Sequence, residues 1–182
     1  MWRLVFVVLT IVCGGCSLKG RVVGAATPEL KQTSQIEVLF NHRREAEYRS
    51  PLNGQWRRGD DLEEALISAI SNAGNEVLVA VQELSLPLVA RSLIAAADRG
   101  VSVRVVLENT YSAPWSEQRP AHLPKHQRHR WHQLHRLADR NNDGVTTAAE
   151  AHQSDAVALL RNARIAIVDD TEDSSSGSGL MH

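Results

Sequence analysis

Cysteine is all but missing from this chain. Its only two, Cys13 and Cys16, fall within the first 16 of 182 residues. No disulfide framework therefore holds the domain that follows. A dominant charge is missing as well. Twenty basic and 21 acidic side chains leave a formal net charge of −1 and a pI near 6.7. That balance excludes a generic nucleic-acid binder. A spanning helix is absent too: the apolar run at residues 4–13 falls far short of the roughly 20 residues a bilayer demands. Length allows one domain and not comfortably two. The 43% of hydrophobic residues suffices for a real core.

The short run reads instead as the centre of an export leader. Arg3 supplies the positive charge before it, and Gly14, Gly15 and Cys16 follow it. Gly-Gly-Cys resembles the end of a bacterial lipobox, in which cleavage exposes a cysteine for lipid attachment. Cys13 departs from that pattern, where a Leu-like residue is usual. A second cleavage site, Val23-Gly24-Ala25 just before Ala26, competes with it. The signal peptide thus spans residues 1–25, or, as a lipoprotein leader, ends before Cys16; either way the mature protein lies outside the cytoplasm, periplasmic or extracellular, with a lipid anchor in the second case.

Past the leader, residues 36–40 read as a first strand, and the polar residues 41–61 as a solvated loop rather than a phosphate-steering one. The loop carries Arg43, Arg44, Arg49, Arg57 and Arg58 around Pro51 and Gly54. Asp60 or Asp61 caps a helix whose apolar stripe is Leu62, Ala65, Leu66, Ala69, Ile70 and Ala73, ended by Gly74. Residues 76–82 form a strand whose unbroken apolar run suits a sheet covered on both faces. Pro87 opens a second helix with Leu88, Val89, Ser92, Leu93, Ala96 and Ala97 as its buried stripe, and Gly100 stops it. Residues 101–107 are the next strand. Alternating strands and helices of this kind build a parallel sheet with crossovers. Residues 108–125 form a proline-punctuated loop, whose Tyr111 and Trp115 serve packing or, alternatively, a substrate mouth.

A histidine-rich stretch follows, with His126, His129, His132 and His135 along one helical flank. Such spacing can hold a transition metal. Lys125, Arg128, Arg130 and Arg136 crowd the same stretch. Like charges disfavour a cation there, so an exposed basic helix is the better reading. Next comes D-R-N-N-D-G-V-T-T-A-A-E, residues 139–150. It fits the EF-hand pattern at every fixed position. Asp139, Asn141 and Asp143 offer oxygens at loop positions one, three and five. Gly144 permits the sharp turn, and Val145 presents its carbonyl. Thr147 helps directly or through water, and Glu150 grips bidentately. Trp131, Leu134 and Leu137 mark a helix leading in, and Ala156, Leu159 and Leu160 one leading out. Thr146 stands where an apolar residue usually pairs with a partner loop, and the sequence holds no second loop. The expectation is one structural calcium ion; the bland alternative is a polar turn.

The chain closes on I-A-I-V-D-D-T-E-D-S-S-S-G-S-G-L-M-H. Residues 165–168 read as a short buried strand, and residues 169–179 as an acidic, then Ser/Gly-rich, loop. Leu180 and Met181 begin a new apolar run that stops at His182, as if in the middle of a site. The D-D-T segment and the G-S-G-L-M-H run resemble the approach to the first H-x-K-x-x-x-x-D motif of the phospholipase D superfamily. D-R-G-V-S-V-R-V-V-L, residues 98–107, is similar to that superfamily's passage from helix to strand.

The resemblance implies that His182 is the motif histidine and that the motif's Lys and Asp lie beyond it. It implies two such motifs facing each other, the second from a missing C-terminal half or another subunit. One histidine attacks phosphorus, the other protonates the leaving alcohol, the lysines hold phosphate oxygens, and no metal is needed. The expected fold is α/β: a phospholipase D-like mixed or parallel sheet flanked by helices over residues 36–182. An EF-hand-like helix-loop-helix is inserted at residues 126–163. The expected function is hydrolysis of a phosphodiester, phospholipid or nucleic acid, by a protein of which this looks like an inactive fragment. The alternative is a non-catalytic, exported, calcium-binding α/β lipoprotein.

Overall fold

A computed structural model describes residues 37–51 and 54–169 of the chain. They fall almost wholly within one compact unit, Phe40–His182. The leader with Cys16 and Ala26, and the closing residues 170–182, lie outside the described residues. No helix among the described residues is long and apolar enough to cross a membrane.

Three parallel strands carry the architecture: β3 (Glu76–Val81), β4 (Ser102–Leu107) and β5 (Ala166–Asp169), in the order β3-β4-β5. Val79 lies opposite Val105, and Val105 opposite Ile167. Side chains alternate along a strand, so these three share one face with Val77, Val81, Val103 and Leu107. Helices α1 (Leu62–Ser71), α2 (Pro87–Asp98) and α5 (Ala156–Asn162) bring Ile70, Leu93 and Leu160 into the same core. Leu93, Val105, Leu107 and Leu160 are fully buried. Each is worth roughly 1.5–3 kcal/mol relative to exposure.

Helix boundaries follow local chemistry. The Asp61 side chain accepts the Glu64 N–H at 3.1 Å and opens α1. Pro87 opens α2, where its missing N–H costs nothing. Gly100, at φ +89°, lets the chain turn from α2 into β4. On α1 the inward stripe is Leu66, Ile67 and Ile70, while Ala69 faces out. Asn72, not Gly74, ends that helix.

Three expectations need correction. Among the described residues helices cover one face of the sheet only: Leu78, on the other, is 61% exposed. The run E-V-L-V-A-V is apolar at both parities, which shows what each face can bury but not what covers it. Residues 37–40 carry no strand, and Ile36 lies outside the described residues. Residues 41–61 contain an antiparallel hairpin, β1 (Glu47–Arg49) and β2 (Trp56–Arg58), instead of a plain loop. Gly59 makes its base possible. A Cβ there would sit 2.2 Å from the Asn41 carbonyl, so only glycine fits.

Between β4 and α5 the chain leaves the sheet through three 3₁₀ turns. It then forms α3 (Lys125–Ala138), a loop and α4 (Ala148–Ser154). This excursion has a small core of its own: Trp115, Ala138 and Ala151, with Trp131 and Leu134 packed against it. The two indoles meet edge to face at 6.4 Å, and Trp131 Nε1 donates to the Trp115 carbonyl at 3.1 Å. Leu137, on the same helix, is 74% exposed. The helix expected to lead out through Ala156 and Leu160 is two helices. Asp155 stops α4, and its side chain accepts the Val157 and Ala158 N–H groups to start α5. A short polar side chain that satisfies helix-start N–H groups favours a new start over continuation.

Candidate functional site

The loop between α3 and α4 carries five of the six expected oxygen ligands, and Glu150 stands in the first turn of α4. Asp139 ends α3, and its Oδ2 accepts the Gly144 N–H at 2.9 Å. Gly144 turns at φ +84°, a conformation that glycine adopts without steric cost. Asn141 Oδ1 accepts the Asp143 N–H at 3.0 Å, and Asn141 Nδ2 donates to Asp143 Oδ2 at 2.8 Å. Asp143 Oδ1 accepts the Val145 N–H at 2.8 Å. Thr147 and Glu150 form a capping box at the start of α4. Glu150 Oε2 accepts from the Thr147 N–H at 2.9 Å and the Thr147 hydroxyl at 2.7 Å.

The Glu150 carboxyl is held below its ordinary range. The Thr147 N–H does most of this, then the Thr147 hydroxyl. Burial opposes them, and the Arg140 and Asn141 N–H groups add the smallest lowering effects. Glu150 is thus turned towards the first residues of the loop. Thr146, the residue without a partner loop, bonds instead to the His135 carbonyl at 2.6 Å. Among the described residues no group of three or more His, Cys, Asp or Glu side chains converges to hold a metal ion. That holds for the loop, whose carboxylates are engaged with its own N–H groups, and for the histidines of α3. His126, His129 and His132 are exposed, and His135 stacks on Trp131 at 4.6 Å. The donor set still fits a hard cation, since every donor is an oxygen. Asp139 Oδ1 is buried with no hydrogen-bond partner, so one ligand oxygen is uncommitted.

A second polar constellation gathers at the carboxyl end of the parallel sheet. Ligands of open α/β sheets commonly bind at that end. Glu83 follows β3 and pairs with Arg130 of α3, Nε to Oε1, at 2.7 Å. The Arg130 guanidinium also lies 4.9 Å above the Tyr111 ring, a cation–π contact. Glu108 follows β4 and is nearly buried; its carboxylate accepts the Thr110 N–H at 3.1 Å and hydroxyl at 2.8 Å. A cleft of about 630 Å³ lies between Glu83, Ser85 and α3, with Arg136 and Leu137 on its wall. Trp115 is not part of it; that ring is buried in the second core. Glu83 and Arg130 were not singled out from sequence. Glu83 had a usable mark, its place just past a strand, while Arg130 was hidden among neighbouring cations.

β5 ends at Asp169, paired with Leu107. His182 lies outside the described residues.

Residues 66–180 match the family model described as the PLD-like domain of cardiolipin synthase. The matched span begins in α1 and takes in the sheet, the helices α2 to α5 and the lead-in to His182. No curated protein and no solved structure matches the chain.

Proposed function

From the premise that the chain belongs to the phospholipase D superfamily, we propose that it serves phosphodiester hydrolysis through a phosphohistidine, with His182 as a reacting histidine. The observation that supports this reading most is the extent of the family match, which runs to residue 180, two residues short of His182. An imidazole nitrogen of one motif histidine attacks phosphorus. The bond to the leaving alcohol breaks as the other motif histidine donates its proton. Water, deprotonated by that second histidine, then attacks the phosphohistidine and frees the first. Lysine charges stabilise the developing oxyanions.

The 182 residues contribute one such histidine and neither the motif's Lys nor its Asp. The reading assigns activity to a protein that carries both motifs complete. Family membership supports a phosphodiester substrate, phospholipid or nucleic acid. The direct test is turnover of a chromogenic phosphodiester by such a protein and its loss in His182→Ala.

A second reading concerns the loop, and the buried, unpartnered Asp139 Oδ1 favours it. We propose that Asp139, Asn141, Asp143, the Val145 carbonyl, Thr147 and Glu150 bind one calcium ion. The ion ties α3 to α4 and braces the excursion between β4 and α5. Calcium has no part in the phosphoryl chemistry. Extracellular sites of this class bind with Kd on the order of 0.1–1 mM, which suits the exported location proposed from the leader. Lipidation at Cys16 would add a membrane anchor, and Cys16→Ser should release the protein from membranes if it does.

A further inference from the structure

The β1–β2 hairpin presents an indole to solvent in a basic setting. Trp56 is 71% exposed. Its Cα partner across the hairpin is Arg49, and Glu47 lies opposite Arg58. Directly opposed residues share a face, as do residues two apart. Glu47, Arg49, Trp56 and Arg58 therefore point the same way. That way is outward, because Tyr48 between them is half-buried on the other side. Residues 43–61 carry five arginines against Glu45, Glu47, Asp60 and Asp61, a local +1 in a chain whose net charge is −1.

The face is firmly built. Arg49 Nε donates to the Gly54 carbonyl at 2.9 Å, Ser50 N–H to Gln55 at 2.8 Å and Gly59 N–H to Ala46 at 2.8 Å. Arg43 pairs with Asp60 at 3.2 Å. Arg58 pairs with Glu47 at 3.6 Å, with both side chains more than half exposed. Solvent screens such a pair and leaves both groups able to exchange partners. The hairpin precedes the family match at residues 66–180.

We propose that this face docks the protein on an anionic lipid surface. Trp56 sits at the headgroup level, and Arg49 and Arg58 meet lipid phosphates. An indole with an apolar body and one N–H suits that interface. Basic side chains add attraction to anionic lipid. A single-stranded nucleic acid would call for a row of stacking aromatics along a basic groove; this face carries one indole. The inference is independent of the role of His182.

Co-sedimentation of the full chain with phosphatidylglycerol and with phosphatidylcholine vesicles tests it. Binding should be tighter to phosphatidylglycerol and weaken with salt. Arg58→Gln should weaken phosphatidylglycerol binding about fivefold, the effect of one basic side chain at an anionic surface. Trp56→Ala should weaken binding to both lipids. Should Trp56→Ala fail to fold, Arg58→Gln alone decides. Equal affinity for the two vesicles, or parent-like binding by Arg58→Gln, overturns the proposal. So does a Trp56-dependent preference for single-stranded DNA over vesicles, which would assign the face to nucleic acid.

Discussion

Asp155 Oδ2 accepts the backbone N–H of Ser116 at 2.8 Å, across 39 residues of chain. The Asp155 side chain is fully buried, and its other oxygen accepts the Val157 and Ala158 N–H groups at 3.1 and 3.2 Å. One carboxylate thus starts α5, which belongs to the core under the sheet, and fastens the turn that carries Trp115 of the second core. The excursion is pinned to the core at this carboxylate.

Asp155→Ala should accordingly destabilise the protein well beyond an ordinary cap. It removes the α5 cap and leaves a distant N–H without its acceptor. A loss of roughly 2–4 kcal/mol is expected from a cap and a charged, buried hydrogen bond together. Urea unfolding followed by circular dichroism measures it. A shift below about 0.5 kcal/mol would mean that Ser116 and α5 are held by something else.

Calcium should bind once. Calorimetry on the full chain should show a single site, abolished by Asp139→Ala or Glu150→Ala. At ten times Kd the native state should gain about 1.4 kcal/mol, read as a small rise in melting temperature. Millimolar calcium with neither heat nor a melting shift would leave residues 139–150 as a polar turn.

Two carboxyls shift in opposite directions, and the signs separate them. Thr147 holds Glu150 below its ordinary range. That contribution to stability is present above the unfolded-state value, near 4.5, and is lost as pH falls through the lower folded value. Burial, then Asp61 and Glu64, raise Glu63. Its contribution is present below about 4.5 and lost as pH rises through the higher folded value. Glu63→Gln should therefore stabilise the protein at neutral pH, and Glu150→Gln should weaken the start of α4 there. Melting temperatures at pH 4 and pH 7 check both. A Glu63→Gln protein less stable than the parent at pH 7 would contradict the first sign.

The parts of the fold legible in the sequence were those with a period or a fixed spacing. Val77, Val79 and Val81 announce β3; Val89, Leu93 and Ala96 announce α2. The spacing from Asp139 to Glu150 marks the loop, and its capping box follows from Thr147 and Glu150 standing three apart. What was illegible depends on distance or on missing cover. Glu83 and Arg130 are 47 residues apart, and no local pattern pairs them. The exposure of Leu78 depends on what lies over the sheet, and residues 76–81 are apolar at both parities. The break at Asp155 was hidden because residues 151–160 keep an apolar content that a single helix would also show. Trp56 and its arginines looked like loop because strands three residues long carry almost no alternation.

The role of His182 bears most directly on the whole account. A protein that continues from His182 through Lys and Asp and a second H-x-K should hydrolyse bis(p-nitrophenyl) phosphate, and acid-labile, base-stable phosphohistidine should be trapped during turnover. His182→Ala should lower the rate by at least about a thousandfold, since it removes a nucleophile or a general acid from a site that also depends on charge stabilisation. Parent-like turnover in His182→Ala would contradict the assignment of His182.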